Sequence, residues 1–375
     1  MKFRYTACLT ALLTICGTFS SWAQASTKIP DNKPNTSAPF KKCWEYNLTD
    51  SNGGSLVSSN GTVFFTESEG RIRAISARTS QVNWVSELGG RIVATAMVPK
   101  FGLAVVTVKP GVTNDASGGA TLRMLNLETG LVKFSIAIET GDDLYLLAAA
   151  DRLIIADRSG KVGAFNAVTG EKVWSTQLSG SLTAAPAVSS EMVAAASSKN
   201  KIEIISMGTG QTIASIAVNR PVTALLIREN QMIVAGDDRG SVTNYRNQSG
   251  EVWWRFKSGA RIGTIIETRA GILVGSFDNF IYMISSYAGD VKWKRRLDGR
   301  IVSEPLVIGD MVLAAASTEE SAVAVGLEHG KPVDQFVFGE NRFMLSKPAI
   351  SEGSVVVFGL TDSIVAFSNS GCAAN

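Results

Sequence analysis

The sequence predicts an all-β fold: an eight-bladed β-propeller of four-stranded antiparallel blades, closed by an N-terminal outer strand that pairs with three C-terminal strands. Three observations carry this. A turn glycine or its stand-in recurs at Ser80, Gly130, Gly170, Gly210, Gly250, Gly289, Gly330 and Gly371, at intervals of 50, 40, 40, 40, 39, 41 and 41. Four residues after each turn comes a large apolar residue or a substitute, namely Trp84, Phe134, Trp174, Ala214, Trp254, Trp293 and Asp334; Trp44 supplies an eighth with no turn before it. Between these markers lie short runs of Val, Ile and Ala bounded by Asp-x-x-Gly, Thr-Gly and Ser-Gly turns, with no helical periodicity. A period near forty made only of short strands builds radial blades, not a helical solenoid.

Taken in chain order, the first 25 residues stand apart. Lys2 and Arg4 give a basic start, Ala7 to Phe19 form an apolar run, and Ala23-Gln24-Ala25 supplies a cleavage site. This pattern is a secretory signal peptide, and the run is too short for a transmembrane span. Leu13-Thr14-Ile15-Cys16 resembles a lipobox, but Ile15 stands where lipoboxes carry a small residue, so lipidation of Cys16 stays open. Residues 26–40, rich in Ser, Thr, Pro, Asn and Lys, read as a flexible leader. Residues 41–375 form the propeller. Without residues 1–25, 34 Lys and Arg face 33 Asp and Glu. Near-neutral charge offers no nucleic-acid footprint, and no other apolar run reaches membrane-spanning length.

Each unit then runs as a strand around the tryptophan position, a link, an inner strand often bearing Pro (Pro186, Pro305), a strand dense in Val, Ala and Ile, and a strand leading into the next turn. The interval of 50 comes from an insertion, Lys109 to Ala120, whose Gly, Ser, Asn and Asp content marks a mobile recognition loop. Starting at Trp44 and ending at Gly371, the phase makes the first strand the outermost of a blade whose other three strands are C-terminal. Cys43 precedes Trp44 as Val173 precedes Trp174, and Cys372 follows Gly371 as Glu171 follows Gly170. In repeat coordinates they lie two positions apart, across the one outer hairpin lacking a covalent turn. A Cys43–Cys372 disulfide is expected, worth at most about 5–6 kcal/mol by loop entropy.

Ala164-Phe165-Asn166-Ala167-Val168-Thr169-Gly170-Glu171-Lys172-Val173-Trp174 resembles the PQQ-type propeller repeat, A-x-D-x-x-T-G-x-x-x-W, with Asn for Asp. Looser copies are Ala74 to Trp84 and Tyr282 to Trp293, and the resemblance spans residues 42–372. It implies that Trp44, Trp84, Trp174, Trp254 and Trp293 dock against neighbouring blades. Of two branches, the quinoprotein dehydrogenases bind PQQ and calcium and carry adjacent disulfide-bonded cysteines, a pair missing here. The chain looks more like the other branch, the BamB family of outer-membrane assembly scaffolds. That family carries Leu-x-Leu-Arg at its partner surface, where this chain has Gly180-Ser181-Leu182-Thr183-Ala184 and no Arg.

Catalytic signals are weak. The single His329 sits in an outer turn, no G-x-S-x-G accompanies it, and one His with two paired cysteines builds no zinc site. Ser198-Lys199-Asn200-Lys201 fits S-x-x-K only within a blade turn. Arginine is the informative constellation. Seven residues past Trp84, Trp254 and Trp293 stand Arg91, Arg261 and Arg300; Arg342 is eight past Asp334 and Arg220 six past Ala214. The other units place Ser51, Gly141 and Ser181 there. This slot opens the innermost strand at one channel mouth, where a ring of guanidinium groups suits carboxylate or phosphate. The links between second and third strands open on the same face and are acidic (Glu67, Glu69, Asp157, Asp237, Asp238, Asp278, Glu319, Glu320, Asp362), so two readings remain: binding, or pairing within a solvated lattice.

The expectation is a monomeric, non-catalytic, cofactor-free scaffold, periplasmic or secreted after signal-peptide cleavage, with a peripheral position at the outer membrane left open, that binds a protein partner in outer-membrane β-barrel assembly. Its alternatives are a PQQ-binding dehydrogenase and a carbohydrate- or anionic-ligand-binding propeller.

Overall fold

The computed structural model describes residues 39–372 except 49–53, 68, 110–118, 142, 229, 247–248, 302, 317–319 and 352–353. The expected signal peptide, nearly all of the leader and the body of the insertion lie outside the described residues, as do Ser51 and Glu319. Eight four-stranded antiparallel sheets are arranged as blades, numbered here in chain order: blade 1 (56–87), blade 2 (91–138), blade 3 (144–177), blade 4 (187–217), blade 5 (222–257), blade 6 (262–296), blade 7 (306–337) and blade 8. In blades 1 to 7 the strands pair in chain order from the channel outward. Blade 8 takes Ala349–Ser351, Val355–Gly359 and Ser363–Ser368 from the C-terminal end and Lys41–Asn47 as its outer strand.

That closing strand falls into the same register as its siblings. Trp44 pairs with Ala366 just as Trp174 pairs with Ala164 and Trp84 with Ala74, each beside a β-bulge. The expected phase is therefore realised, and Cys43 and Cys372 form a disulfide with a Cα–Cα distance of 5.1 Å. Closure leaves no end blade with an unpaired sheet face.

The core lies between blades. Second and third strands such as Gly102–Val108 and Ser363–Ser368 are buried along their whole length, because each presents one face to either neighbour. The apolar clusters among the described residues each join two successive blades; one packs Leu122 and Ile138 of blade 2 against Leu153 and Phe165 of blade 3. A single blade cannot bury its faces alone.

One contact recurs at the seams. The indole N–H of each docking tryptophan donates to a carbonyl in the outer turn of the next blade: Trp44 to Ala77 at 2.9 Å, Trp84 to Leu127 at 2.9 Å, Trp174 to Met207 at 2.8 Å, Trp254 to Ser286 at 3.0 Å and Trp293 to Leu327 at 2.9 Å. The ring covers the turn glycine so closely that a Cβ on Gly210 would come within 2.6 Å of Trp174 and one on Gly330 within 2.5 Å of Trp293. Gly210 also has φ of +72°, so it answers two demands, a left-handed turn and a bare surface for the ring. Phe134 covers Gly170 in the same manner. Trp253 adds a second latch in blade 5, donating to Tyr287 O at 2.9 Å beneath the Arg246 guanidinium at 4.7 Å.

The two weakest substitutes behave differently from their siblings. Against Gly250 the nearest side chain is Ile216, not Ala214. Asp334 accepts the Phe40 N–H at 2.7 Å, and the Phe40 ring packs at a tilt against Phe336, 5.1 Å between centroids. The short Ala214 and the charged Asp334 have no ring to offer, so apolar side chains two positions on fill those seams.

Replacing Trp174 with Ala is expected to cost about 3–5 kcal/mol in chemical denaturation, as large buried aromatics do. The Cys43→Ser/Cys372→Ser pair should lower stability by no more than about 5–6 kcal/mol, and reductant should shift the wild type but not this variant.

Candidate functional site: the arginine-bearing channel mouth

Each link from an outermost strand to the next innermost strand arrives at one face of the ring. Arg91 opens the strand Arg91–Val98, and Arg261 immediately precedes Ile262–Thr268. Arg220 precedes Pro221, whose fixed φ sets the approach to Val222–Ile227. Arg300 heads the approach to Leu306–Ile308, and Arg342 stands two residues before the isolated bridge of Met344 with Leu360. Arg91, Arg220, Arg261 and Arg300 are exposed, whereas Arg342 is half-buried. Four of the five occupy consecutive blades, 5 to 8, forming an arc.

The arc divides by what its members touch. Arg342 donates to Glu45 at 2.7 Å and to Asp362 at 3.1 Å, tying the closing strand to a turn of its own blade. That is the lattice pairing the acidic links suggest. Arg261 and Arg300 lie instead over one aromatic ring, with guanidinium carbons 5.5 and 5.9 Å from the centroid of Phe277. Phe277 occupies the turn between Gly271–Ser276 and Phe280–Ile284 and bridges the mouths of blades 6 and 7. Cation–π contacts at such exposure contribute about 0.5–1 kcal/mol each, enough to orient both side chains without neutralising them.

Several acidic links are engaged by neighbouring backbone N–H groups or arginines. Asp278 accepts the Gly259 N–H at 2.8 Å, the Phe280 N–H at 3.1 Å and the Tyr282 hydroxyl at 2.7 Å. Burial, reinforced by that carboxylate, pushes the Tyr282 phenol well above its usual range. Asp237 accepts the N–H groups of Arg239 and Ser241 at 2.9 and 2.8 Å. Glu67 is held by Arg71 and Arg73. Glu320 accepts the Asn341 N–H at 2.6 Å.

Across the mouth from Phe277, a cleft of about 540 Å³ reaches into the channel between the inner strands of blades 1 to 3 and the Leu345-Ser346 segment. Arg91 and Glu67 supply its charge, Leu345 its exposed apolar rim, and a Ser55–Thr95 hydroxyl contact at 2.7 Å joins two blades along its wall. This volume sits within the usual range of ligand pockets, roughly 300–1,000 Å³.

Two residues here were not singled out from the sequence. Phe277 stands where the equivalent turns of blades 3 and 5 carry the charged Arg158 and Asp238, a break in pattern that was the available signal. Arg158 belongs to the turn after Asp157. It pairs with Asp143 at 3.0 Å, lies 5.7 Å from the Tyr145 ring centroid and approaches the Leu182 carbonyl at 3.4 Å. The segment 180–184 thus has no arginine of its own but an arginine of blade 3 beside it. Leu182 itself is buried. His329 accepts the Lys331 N–H through Nδ1 at 3.0 Å in an outer turn, remote in role from the mouth.

Lys42, with Arg342, holds the Glu45 carboxyl below its ordinary value of 4.5. A depressed carboxyl contributes stability above its unfolded pKa and loses it as pH falls through the folded one. Urea midpoints of the wild type should therefore fall further between about pH 6 and about pH 3 than those of Glu45→Gln, which lacks this titration.

Solved structures share the fold at low identity. BamB from Moraxella catarrhalis superposes with a TM-score of 0.66 at 11% identity, covering 88% of this chain and 99% of that one. The computationally designed Ika8 protein gives 0.73 at 14% (87% and 100% covered), and the C-terminal WD40 domain of Sif2 gives 0.72 at 12% (89% and 99%). No curated protein sequence matches significantly. Residues 139–238 and 238–369, more than half of the chain, match the family described as outer membrane protein assembly factor BamB. With its eight closed blades and latched seams, the chain belongs to that family.

Proposed function

We propose that this protein is a non-catalytic scaffold of the extracytoplasmic envelope, acting in outer-membrane β-barrel assembly, and that it captures a protein partner at the arginine-bearing mouth. The observation that carries the reading is the pair Arg261 and Arg300, exposed and held against Phe277 while the neighbouring carboxylates of Asp237 and Asp278 accept backbone N–H groups. Oriented guanidinium groups beside an aromatic face suit an acidic segment, since charge steers its approach and the ring offers apolar contact. Tyr, Trp, Phe and Arg are the side chains that interfaces concentrate. The disulfide fits an oxidising compartment, and family membership supports the assembly role.

Affinity capture from detergent-solubilised envelope tests it. The tagged chain should enrich the barrel-assembly subunit at low salt and lose it at high salt. Arg261→Glu/Arg300→Glu should reduce that recovery about tenfold or more with an unchanged thermal midpoint; Arg342 is left intact because it ties the closing blade. Undiminished recovery by the double variant would overturn the role of the mouth.

A further inference from the structure

The third strand of every blade has one position aimed at the preceding blade, immediately before the residue that pairs with the docking position. Registers place Arg73, Arg123, Glu203, Thr243 and Tyr282 there in blades 1, 2, 4, 5 and 6, and Val323 and Val365 in blades 7 and 8. Side chains at this position contribute to the seam. Arg73 lies 6.0 Å from the Tyr46 ring centroid of blade 8. Glu203 accepts the Ser179 N–H at 2.9 Å and its hydroxyl at 2.6 Å. Tyr282 packs edge-on against Phe256 of blade 5 at 5.1 Å and donates its hydroxyl to Asp278 at 2.7 Å.

Blade 3 alone has glycine, Gly163, opposite Ser175. Its backbone does not require one. Gly163 is not among the positive-φ residues, and the atoms nearest an added Cβ are the Phe165 ring, which at 3.3 Å would have to give by a few tenths of an ångström, and the Trp174 carbonyl at 3.7 Å. The missing side chain leaves a cavity of about 310 Å³ between blades 2 and 3, with an apolar floor of Ile136, Ile138, Ile155 and Phe165. At one end sits Asp157, 6% exposed. One of its oxygens caps the turn, accepting the Lys161 N–H at 3.1 Å and the Ser159 hydroxyl at 2.5 Å, while the other receives the Thr140 hydroxyl at a long 3.4 Å. A buried carboxylate oxygen with so weak a donor has capacity for a better one.

We propose that this seam is a binding site for a tyrosine side chain of a partner polypeptide, its ring on the apolar floor and its hydroxyl donating to Asp157. The molecule contains the template: Tyr282, at the equivalent position of blade 6, sets its ring on an apolar side chain of the preceding blade and its hydroxyl on a turn aspartate. A polypeptide is the fitting bearer. The outer strand Val132–Ile138, three of whose residues line the cavity, has no sheet partner on its outward edge among the described residues, so an extended segment could pair there while delivering one side chain inward. The site is separate from the channel mouth, and its failure would leave the mouth untouched.

The test is a titration of the ¹⁵N-labelled chain with N-acetyl-L-tyrosinamide and, separately, N-acetyl-L-phenylalaninamide, following the amides of Lys161, Gly163 and Gly170. Tyrosinamide should give saturable shifts at these amides, with phenylalaninamide roughly tenfold weaker for want of the hydroxyl. Gly163→Tyr should fill its own slot, abolish the shifts and keep or raise the thermal midpoint. No saturable shift, equal affinity for the two amides, or an unchanged titration in a folded Gly163→Tyr would overturn the proposal. The comparison of the two amides decides it even if that variant does not fold.

Discussion

The fold depends on one contact made between neighbouring blades: an aromatic ring laid on a bare glycine turn, with its indole N–H on a carbonyl of that turn. The contact joins residues 32 to 43 apart in sequence, such as Trp254 with Ser286 and Trp84 with Leu127. It combines the large buried area of an aromatic with satisfaction of its single donor. Under Trp84, Trp174, Trp254 and Trp293 the turn residue is glycine, where a Cβ would occupy the space the ring takes; under Trp44 the turn carries Ser80, also at positive φ. Sequence period and seam geometry are therefore one constraint seen at two levels, and the variable spacing of the insertion in blade 2 is absorbed outside it.

Closure completes the set. Trp44, at the start of the described chain, latches onto Ala77 as the other tryptophans latch onto their neighbours, while its strand pairs with Ser363–Ser368 from the far end. Three kinds of bond hold this junction: the sheet ladder, the Cys43–Cys372 disulfide, and the Arg342 contacts to Glu45 and Asp362. Their concentration at the one blade without chain continuity has a physical reason, because there the entropy of closing the whole loop must be offset without a connecting turn.

The same economy shapes the charged face. Aspartates in the turns between second and third strands serve backbone N–H groups, as Asp237 and Asp278 do, because a tight turn leaves those donors otherwise unmet. Carboxylates so engaged have fewer lone pairs to offer the arginines above them. Phe277, standing where blade 5 has Asp238, presents a ring that orients two guanidinium groups.

The blade number, the phase of closure, the disulfide and the identity of most docking residues could be read from the sequence, since each is a local phrase repeated at a fixed period. The common face of the five arginines followed from the same period. Only the tertiary structure decided which of them are neutralised: Arg342 meets Glu45, nearly 300 residues away in the chain, while Arg261 and Arg300 share Phe277. It also moved the seam contacts of blades 4 and 7 to Ile216 and Phe336, and turned Gly163, unremarkable as a letter in the repeat, into an opening between two blades. Periodicity specifies where a residue stands in its own blade. What it touches depends on the side chain presented by the next blade, and that is set by packing across a seam rather than by any pattern along the chain.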